Sequence, residues 1–225
     1  MNARAAGLHP DRRLLRLRGM GPTAAPGDQA MTANPHQAEL AERRRALRAE
    51  LQGRLPGETL PMVWEIGCGH GHFLAAYAAA HRGELCVGVD QELDRIRRAV
   101  RKQERARLTN LHFVRSEAGL FLEALPPGVV FKAVYVLFPD PWPKRRHHKH
   151  RLLQRGFMHA VADRAGEGTP FYFRTDHEPY FRDVETMLQQ HPDWRLEPWT
   201  EWPFELATVF QVRAEKHYSL VAFRR

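Results

Sequence analysis

Cysteine is nearly absent from these 225 residues. Only Cys68 and Cys86 are present, too few for a disulfide framework and not at the spacing of a zinc site. A reducing compartment is therefore expected, and no structural metal is implied. No apolar run approaches the length needed to cross a bilayer, and the N-terminus lacks the apolar core of a secretory signal, so the expectation is a cytoplasmic protein with no membrane partner. Acidic residues are also in short supply: 26 Asp and Glu against 34 Lys and Arg leave a formal charge of +8, before the 13 histidines are counted. Such a surface attracts a polyanion through counterion release, which makes nucleic acid the first partner to consider. The length suits one full α/β domain and is short for two.

Residues 1–35 combine Arg12, Arg13, Arg16 and Arg18 with Gly19, Gly21, Pro22, Pro26, Gly27 and Pro35, a composition with too little apolar surface to offset its ordering entropy. It is read as a disordered basic arm, with residues 36–225 as the folded domain. The arm also has the acid-poor character of an organelle transit peptide, and Met31 offers a second possible start. Gln37 to Leu51 has helix-forming composition, with Ala38, Leu40, Ala41, Leu47 and Leu51 as apolar members, and is expected to be a lid or docking helix outside the sheet. Short apolar runs then alternate with amphipathic stretches. Strands are expected at Met62 to Ile66, Leu85 to Val89, Leu111 to Arg115, Lys132 to Phe138 and Pro170 to Arg174. Helices are expected at Gly71 to Ala80, Glu92 to Glu104, Arg151 to Ala165 and Glu178 to His191. That alternation implies βαβ units on a parallel sheet, and Trp194 to Glu197 with Lys216 to Phe223 would close it as an antiparallel hairpin.

The first strand runs directly into Gly67, Gly69 and Gly71, where the backbone can turn sharply and approach a ligand. The spacing is G-x-G-x-G, not the G-x-G-x-x-G of dinucleotide folds, and no Gly-Lys-Ser/Thr follows to suit a nucleoside triphosphate. Glu65, just before the glycines, would repel a pyrophosphate but suits the ammonium of an amino-acid cofactor. Asp90 ends the second strand, where this fold places a carboxylate against ribose hydroxyls. An acid before the glycines and an acid after the second strand together describe S-adenosylmethionine. Glu117 follows the third strand, where it can accept from an adenine amino group or simply be a solvated helix-start acid. Cys68 reads as a small filler between pocket glycines.

After the fourth strand comes Phe138-Pro139-Asp140-Pro141-Trp142-Pro143-Lys144. The carboxyl end of that strand lies beside the topological switch point, so its loop faces the cofactor, and its prolines lower the entropy of holding Asp140 toward a substrate. The same residue types also build rigid turns that only pack. Next comes the cationic run Lys144 to Arg151, with Arg145, Arg146, His147, His148, Lys149 and His150 between, suited to gripping an RNA backbone. A metal held by His147, His148 and His150 is disfavoured by the flanking cations. Asp176 ends the fifth strand and is expected to converge with Asp140 on a base carrying N–H donors.

These motifs resemble the bacterial tRNA (guanine-N7)-methyltransferase family over roughly residues 37–225. E-I-G-C-G-H-G is similar to its cofactor loop, F-P-D-P-W-P-K to its catalytic loop, R-H-H-K-H-R to its RNA-contact run and T-D-H-E-P-Y to its second substrate motif. The resemblance implies a doubly wound, mostly parallel seven-stranded class I methyltransferase sheet, Rossmann-like, with a C-terminal antiparallel hairpin. It implies that Glu65, Asp90, Glu117 and Asp140, with the glycines, line a pocket for S-adenosylmethionine, and that Asp140 is catalytic. It places Lys144 and Asp176 on the target nucleotide and Arg146 to Arg151 on tRNA. Its late substrate element corresponds to Thr208, Val209, Phe210 and Gln211, where Gln211 replaces an acid, and Glu117 stands where aspartate is more usual. The implied product is N7-methylguanosine in the tRNA variable region, made by a monomer or homodimer. Two alternatives remain at this point: a methyltransferase of exocyclic base amines, whose loop would carry one more proline before the aromatic residue, and an RNA-binding relative without catalysis.

Overall fold

The computed structural model describes residues 35–55, 61–197, 200–206 and 216–225. The basic arm and the Thr208, Phe210 and Gln211 element lie outside them. Helix α1 (Pro35–Arg54) precedes β1 (Pro61–Ile66), α2 (His72–Ala80), β2 (Leu85–Asp90), α3 (Leu93–Arg105) and β3 (Leu111–Arg115). Then come α4 (Ala118–Ala124), β4 (Val130–Leu137), a 3₁₀ turn at Arg145–His150, α5 (Arg155–Ala162), β5 (Pro170–Thr175), α6 (Glu178–Gln189), β6 (Trp194–Glu197) and β7 (Tyr218–Arg224).

The seven strands form one sheet in the order β3-β2-β1-β4-β5-β7-β6. The first five pair in parallel. Strand β7 runs antiparallel between β5 and β6, so the expected terminal hairpin is present. Strand order reverses between β1 and β4, which opens a crevice at their carboxyl ends. The loops after those two strands, Gly67 to Gly71 and Phe138 to Lys144, flank it.

The central strands β1, β2, β4 and β5 are buried on both faces, as a parallel sheet covered by helices requires. Trp64, Ile66, Val87, Val89, Val134, Val136, Phe171 and Phe173 enter one core. Val63, Cys86, Phe113, Tyr135 and Tyr172 enter the other with Phe73 and Leu74 of α2. Alternation along β1 therefore directs Glu65 to the α2 side, opposite Trp64 and Ile66.

Several expectations change in detail. Helix α4 was not expected, because its sequence AGLFLEA is apolar almost all round and buries Ala118, Leu120, Phe121, Leu122 and Ala124, leaving no polar face to mark a helical period. Helix α1 is a docking helix: Leu47 and Leu51 enter the core, Arg44 pairs with Glu123 at 3.1 Å, and Arg48 donates to the Glu123 carbonyl at 2.8 Å. The expected helix from Arg151 begins only at Arg155. Arg151 turns inward instead, and the Leu153 amide donates to the Tyr180 hydroxyl at 3.1 Å.

Candidate methyl-transfer site

Backbone chemistry builds the glycine turn. The Gly67 and Cys68 amides both donate to the Val89 carbonyl, at 2.8 and 3.0 Å, binding the turn after β1 to the end of β2. Gly67, Gly69 and Gly71 have φ of 71°, 54° and 66°, the left-handed region that side chains resist. The three glycines serve two different needs. A Cβ on Gly67 or Gly69 would meet nothing within 4 Å, and Gly67 lines the crevice. A Cβ on Gly71 would lie 2.4 Å from the Phe113 ring and 2.9 Å from the Ala99 Cβ. The Cβ side of Gly71 thus faces close packing against Phe113 and Ala99. Gly88 serves the same ring, with a Cβ clash at 2.7 Å.

Asp90 is buried, and both its oxygens hold backbone: Oδ2 accepts from the Gly69 amide at 3.0 Å and Oδ1 from the Glu92 amide at 2.8 Å. It therefore orients the glycine turn as well as facing the crevice. Arg95 approaches it at 3.6 Å from the first turn of α3. Glu65 lies beneath the turn, 3% exposed, with Oε2 lacking any hydrogen-bond partner. Desolvation, reinforced by the charge of Asp90, pushes its carboxyl up to about 8 against the pull of the Leu74 amide and Lys102. Burial likewise raises the Cys68 thiol, consistent with a small inert filler.

The crevice itself is a cleft of about 640 Å³ lined by Gly67, Asp90, Glu117, Phe138, Asp140 and Trp142 among others. Glu117 is half exposed at the N-terminus of α4 and pairs with Arg43 of α1 at 3.2 Å. Its carboxylate also borders an adjoining cleft of about 610 Å³ under α1.

Across the crevice, Phe138 leaves β4 with φ 51° while its amide donates to the Arg174 carbonyl at 2.8 Å, and Trp142 has φ 43°. Two non-glycine residues in the left-handed region frame Asp140, a strain of about 1–2 kcal/mol each that the surroundings must hold. The holder is Arg151. Its guanidinium is buried, donates from Nε to the Pro141 carbonyl at 2.8 Å, pairs with Asp183 of α6, and lies 4.7 Å over the Tyr180 ring. Arg151 therefore cannot present its charge to RNA, which corrects its place in the contact run. It ties the Asp140 loop to the helix that begins just after Asp176.

The remaining cations lie outside. Lys144, Arg145, Arg146, Lys149 and His150 are exposed, and His147 and His148 are half-buried. The run is a compact 3₁₀ turn packed beside Trp142, whose ring lies 5.8 Å from His147 and 5.3 Å from His150. Asp176 is exposed at the end of β5, beside the loop after β4, and is not among the residues lining the cleft. Sequence reasoning missed Arg43, Arg95, Lys102 and Phe113. Arg95 and Lys102 lie seven residues apart on one face of α3, and Lys102 donates to the His70 carbonyl at 2.8 Å, so a helical-face search from the glycine turn would have found that pair.

A family model described as "Putative methyltransferase" matches residues 59–220. The chain belongs to this methyltransferase family. The chain is also similar to two curated relatives named tRNA (guanine-N(7)-)-methyltransferase. One, from Geobacter metallireducens, is 39% identical over 59% of this chain and 63% of its own length. The other, from Erythrobacter litoralis, is 32% identical over 66% of this chain and 65% of its own. The chain thus spans a little under two thirds of the length of these relatives. Among solved structures, a precorrin-6y C5,15-methyltransferase from Geobacter metallireducens superposes with a TM-score of 0.52 at 12% identity, over 88% of this chain and 91% of that one, a likeness of fold alone. Among the described residues, no helix is long and apolar enough to cross a membrane.

Proposed function

We propose that this chain transfers the methyl group of S-adenosylmethionine to N7 of a guanosine in the tRNA variable region. The observation that carries this is the shared cleft: Asp140, on a strapped and strained loop, faces the same space as Asp90 and Glu117, and the exposed cations begin four residues further on. The printed names of the curated relatives supply the acceptor atom and the RNA class.

The cleft suits the donor. Gly67 and Gly69 leave open the volume a Cβ would fill, and the unpartnered Oε2 of Glu65 awaits a donor such as an α-ammonium. S-adenosylmethionine supplies an electrophilic sulfonium methyl when bound. Asp90 would hold the ribose, Glu117 the adenine amino group, and Glu65 the amino-acid end from beneath the turn. Guanine N7 carries an in-plane lone pair at neutral pH, so attack needs no general base and no metal at this site; positioning is the catalytic task. Transfer of that methyl to N7, with the sulfonium sulfur as leaving group, would place positive charge on the purine. Asp140 accepts from the base and stabilises that charge, with Asp176 as the second acidic contact. Lys144 reaches the target nucleotide, and Arg146, His147, His148, Lys149 and His150 hold the RNA backbone. The enzyme works in the cytoplasm as a monomer or homodimer.

The test is transfer from labelled cofactor to unmodified tRNA, followed by borohydride and aniline treatment, which cleaves at N7-methylguanosine. Cleavage at one guanosine in the variable region is expected. Label incorporated without cleavage would assign an exocyclic amine, and cofactor binding without transfer to any RNA would assign an inactive relative; either overturns the proposal.

A further inference from the structure

At the opposite end of the sheet, three side chains from separate elements converge. His159 lies in the last turn of α5, His191 follows α6, and Asp193 precedes β6. A ring nitrogen of His159, a ring nitrogen of His191 and a carboxylate oxygen of Asp193 all lie within 4.8 Å of one another. Among the described residues this is the one group of three or more such ligands that meets, whereas the histidine run at the catalytic loop does not.

The hydrogen bonding around His191 fixes the orientation of its ring. Its side chain is fully buried, and Nε2 lies 3.2 Å from the Arg155 carbonyl, an acceptor that fixes the proton on Nε2. That leaves the Nδ1 lone pair directed into the cluster, where it accepts from the Asp193 amide at 3.2 Å and lies 3.9 Å from Asp193 Oδ2. His159 hydrogen-bonds Asp193 Oδ2 directly through Nδ1, a contact the ion would replace, and the two imidazole centroids lie 4.3 Å apart. His159 is half exposed, so the cluster opens to solvent on one side. Three arginines surround it, and each is engaged with backbone carbonyls. Arg155 donates to Gln190, Arg224 to Ala162 and Asp193, and Arg225 to Trp194. Only Arg224 approaches the carboxylate, at 4.0 Å and on Oδ1, leaving Oδ2 to the histidines.

We propose that His159, His191 and Asp193 bind one zinc ion, with water in the fourth position, joining α5, α6 and the edge strand β6. Two neutral imidazoles and a carboxylate form a donor set that zinc takes tetrahedrally, and calcium or magnesium would require more oxygens. The ion takes over the His191 lone pair from the Asp193 amide. The site is independent of methyl transfer, since it lies at the amino-terminal end of β5 and the cleft lies at the carboxyl ends of the strands.

The full chain, stripped with a chelator, is titrated with zinc chloride by calorimetry, and its thermal unfolding is followed with and without the metal. One ion per chain and a rise in Tm are expected. His159→Ala and the shape-conserving Asp193→Asn should each weaken binding roughly tenfold or more and remove the rise. The triple variant His147→Ala, His148→Ala, His150→Ala should still bind. Absence of saturable binding to the folded wild type, or binding that survives His159→Ala and is lost in the triple variant, would overturn the proposal.

Discussion

The two sides of the crevice are built by opposite means. The glycine-turn side is assembled from main-chain hydrogen bonds and buried acids: Asp90 holds two amides, and Glu65 is sealed beneath the turn. The Asp140 side is exposed, cationic and conformationally strained, and it keeps its shape through one buried guanidinium. The difference teaches where each side is vulnerable. A side made of backbone fails when its packing is disturbed, and a side made of a strained loop fails when its strap is cut.

The largest expected effect separates glycines within the first side. Gly71→Ala would drive a Cβ into Phe113 and Ala99 at a left-handed φ, costing about 2–4 kcal/mol of stability, read as a lowered urea midpoint. Gly69→Ala meets open space and should cost about 1–2 kcal/mol, from φ strain alone, while abolishing cofactor binding by filling the cradle. Equal stability losses in the two variants would erase the distinction.

On the other side, Arg151→Ala should lower kcat about 10- to 100-fold with cofactor Kd little changed, because the loop that carries Asp140 loses its tie to α6. Arg151→Lys keeps the charge without the planar fork and should rescue only part of kcat. Loss confined to KM for tRNA would instead return Arg151 to the RNA surface.

A smaller effect distinguishes the two sides by pH. The Glu65 carboxyl stands near 8 in the folded chain and near 4.5 when free, so the folded state binds the extra proton between those values. Stability of the cofactor-free protein should therefore fall as pH rises from about 4.5 toward 8 through this group, by on the order of a few kcal/mol at most. Capture of a cationic donor drives Glu65 to ionise, so binding near pH 7 should release a proton, seen as buffer-dependent calorimetric heats. Glu65→Gln should remove both effects, whereas Asp140→Asn should leave them in place.

The same contrast explains how much could be read from the sequence. Glu65, the glycines, Asp90 and Asp140 are placed by the ends of short apolar strands, a local signal, and the parallel pairing followed from βα alternation. Helix α4 was invisible because it is apolar on nearly every face. The role of Gly71 depends on Phe113, forty-two residues away, and the role of Arg151 on Asp183 and Tyr180 in α6, contacts that no spacing encodes. Within a run of cations, the buried arginine has no sequence mark that separates it from its exposed neighbours.

The most direct measurement pairs cofactor binding with single-turnover transfer to unmodified tRNA in Asp140→Ala. The predicted result is a transfer rate lower by about 100-fold or more, with cofactor Kd changed less than about tenfold. Transfer at the wild-type rate would contradict the assignment of Asp140, and loss of cofactor binding in proportion to rate would contradict the division of the crevice into two sides.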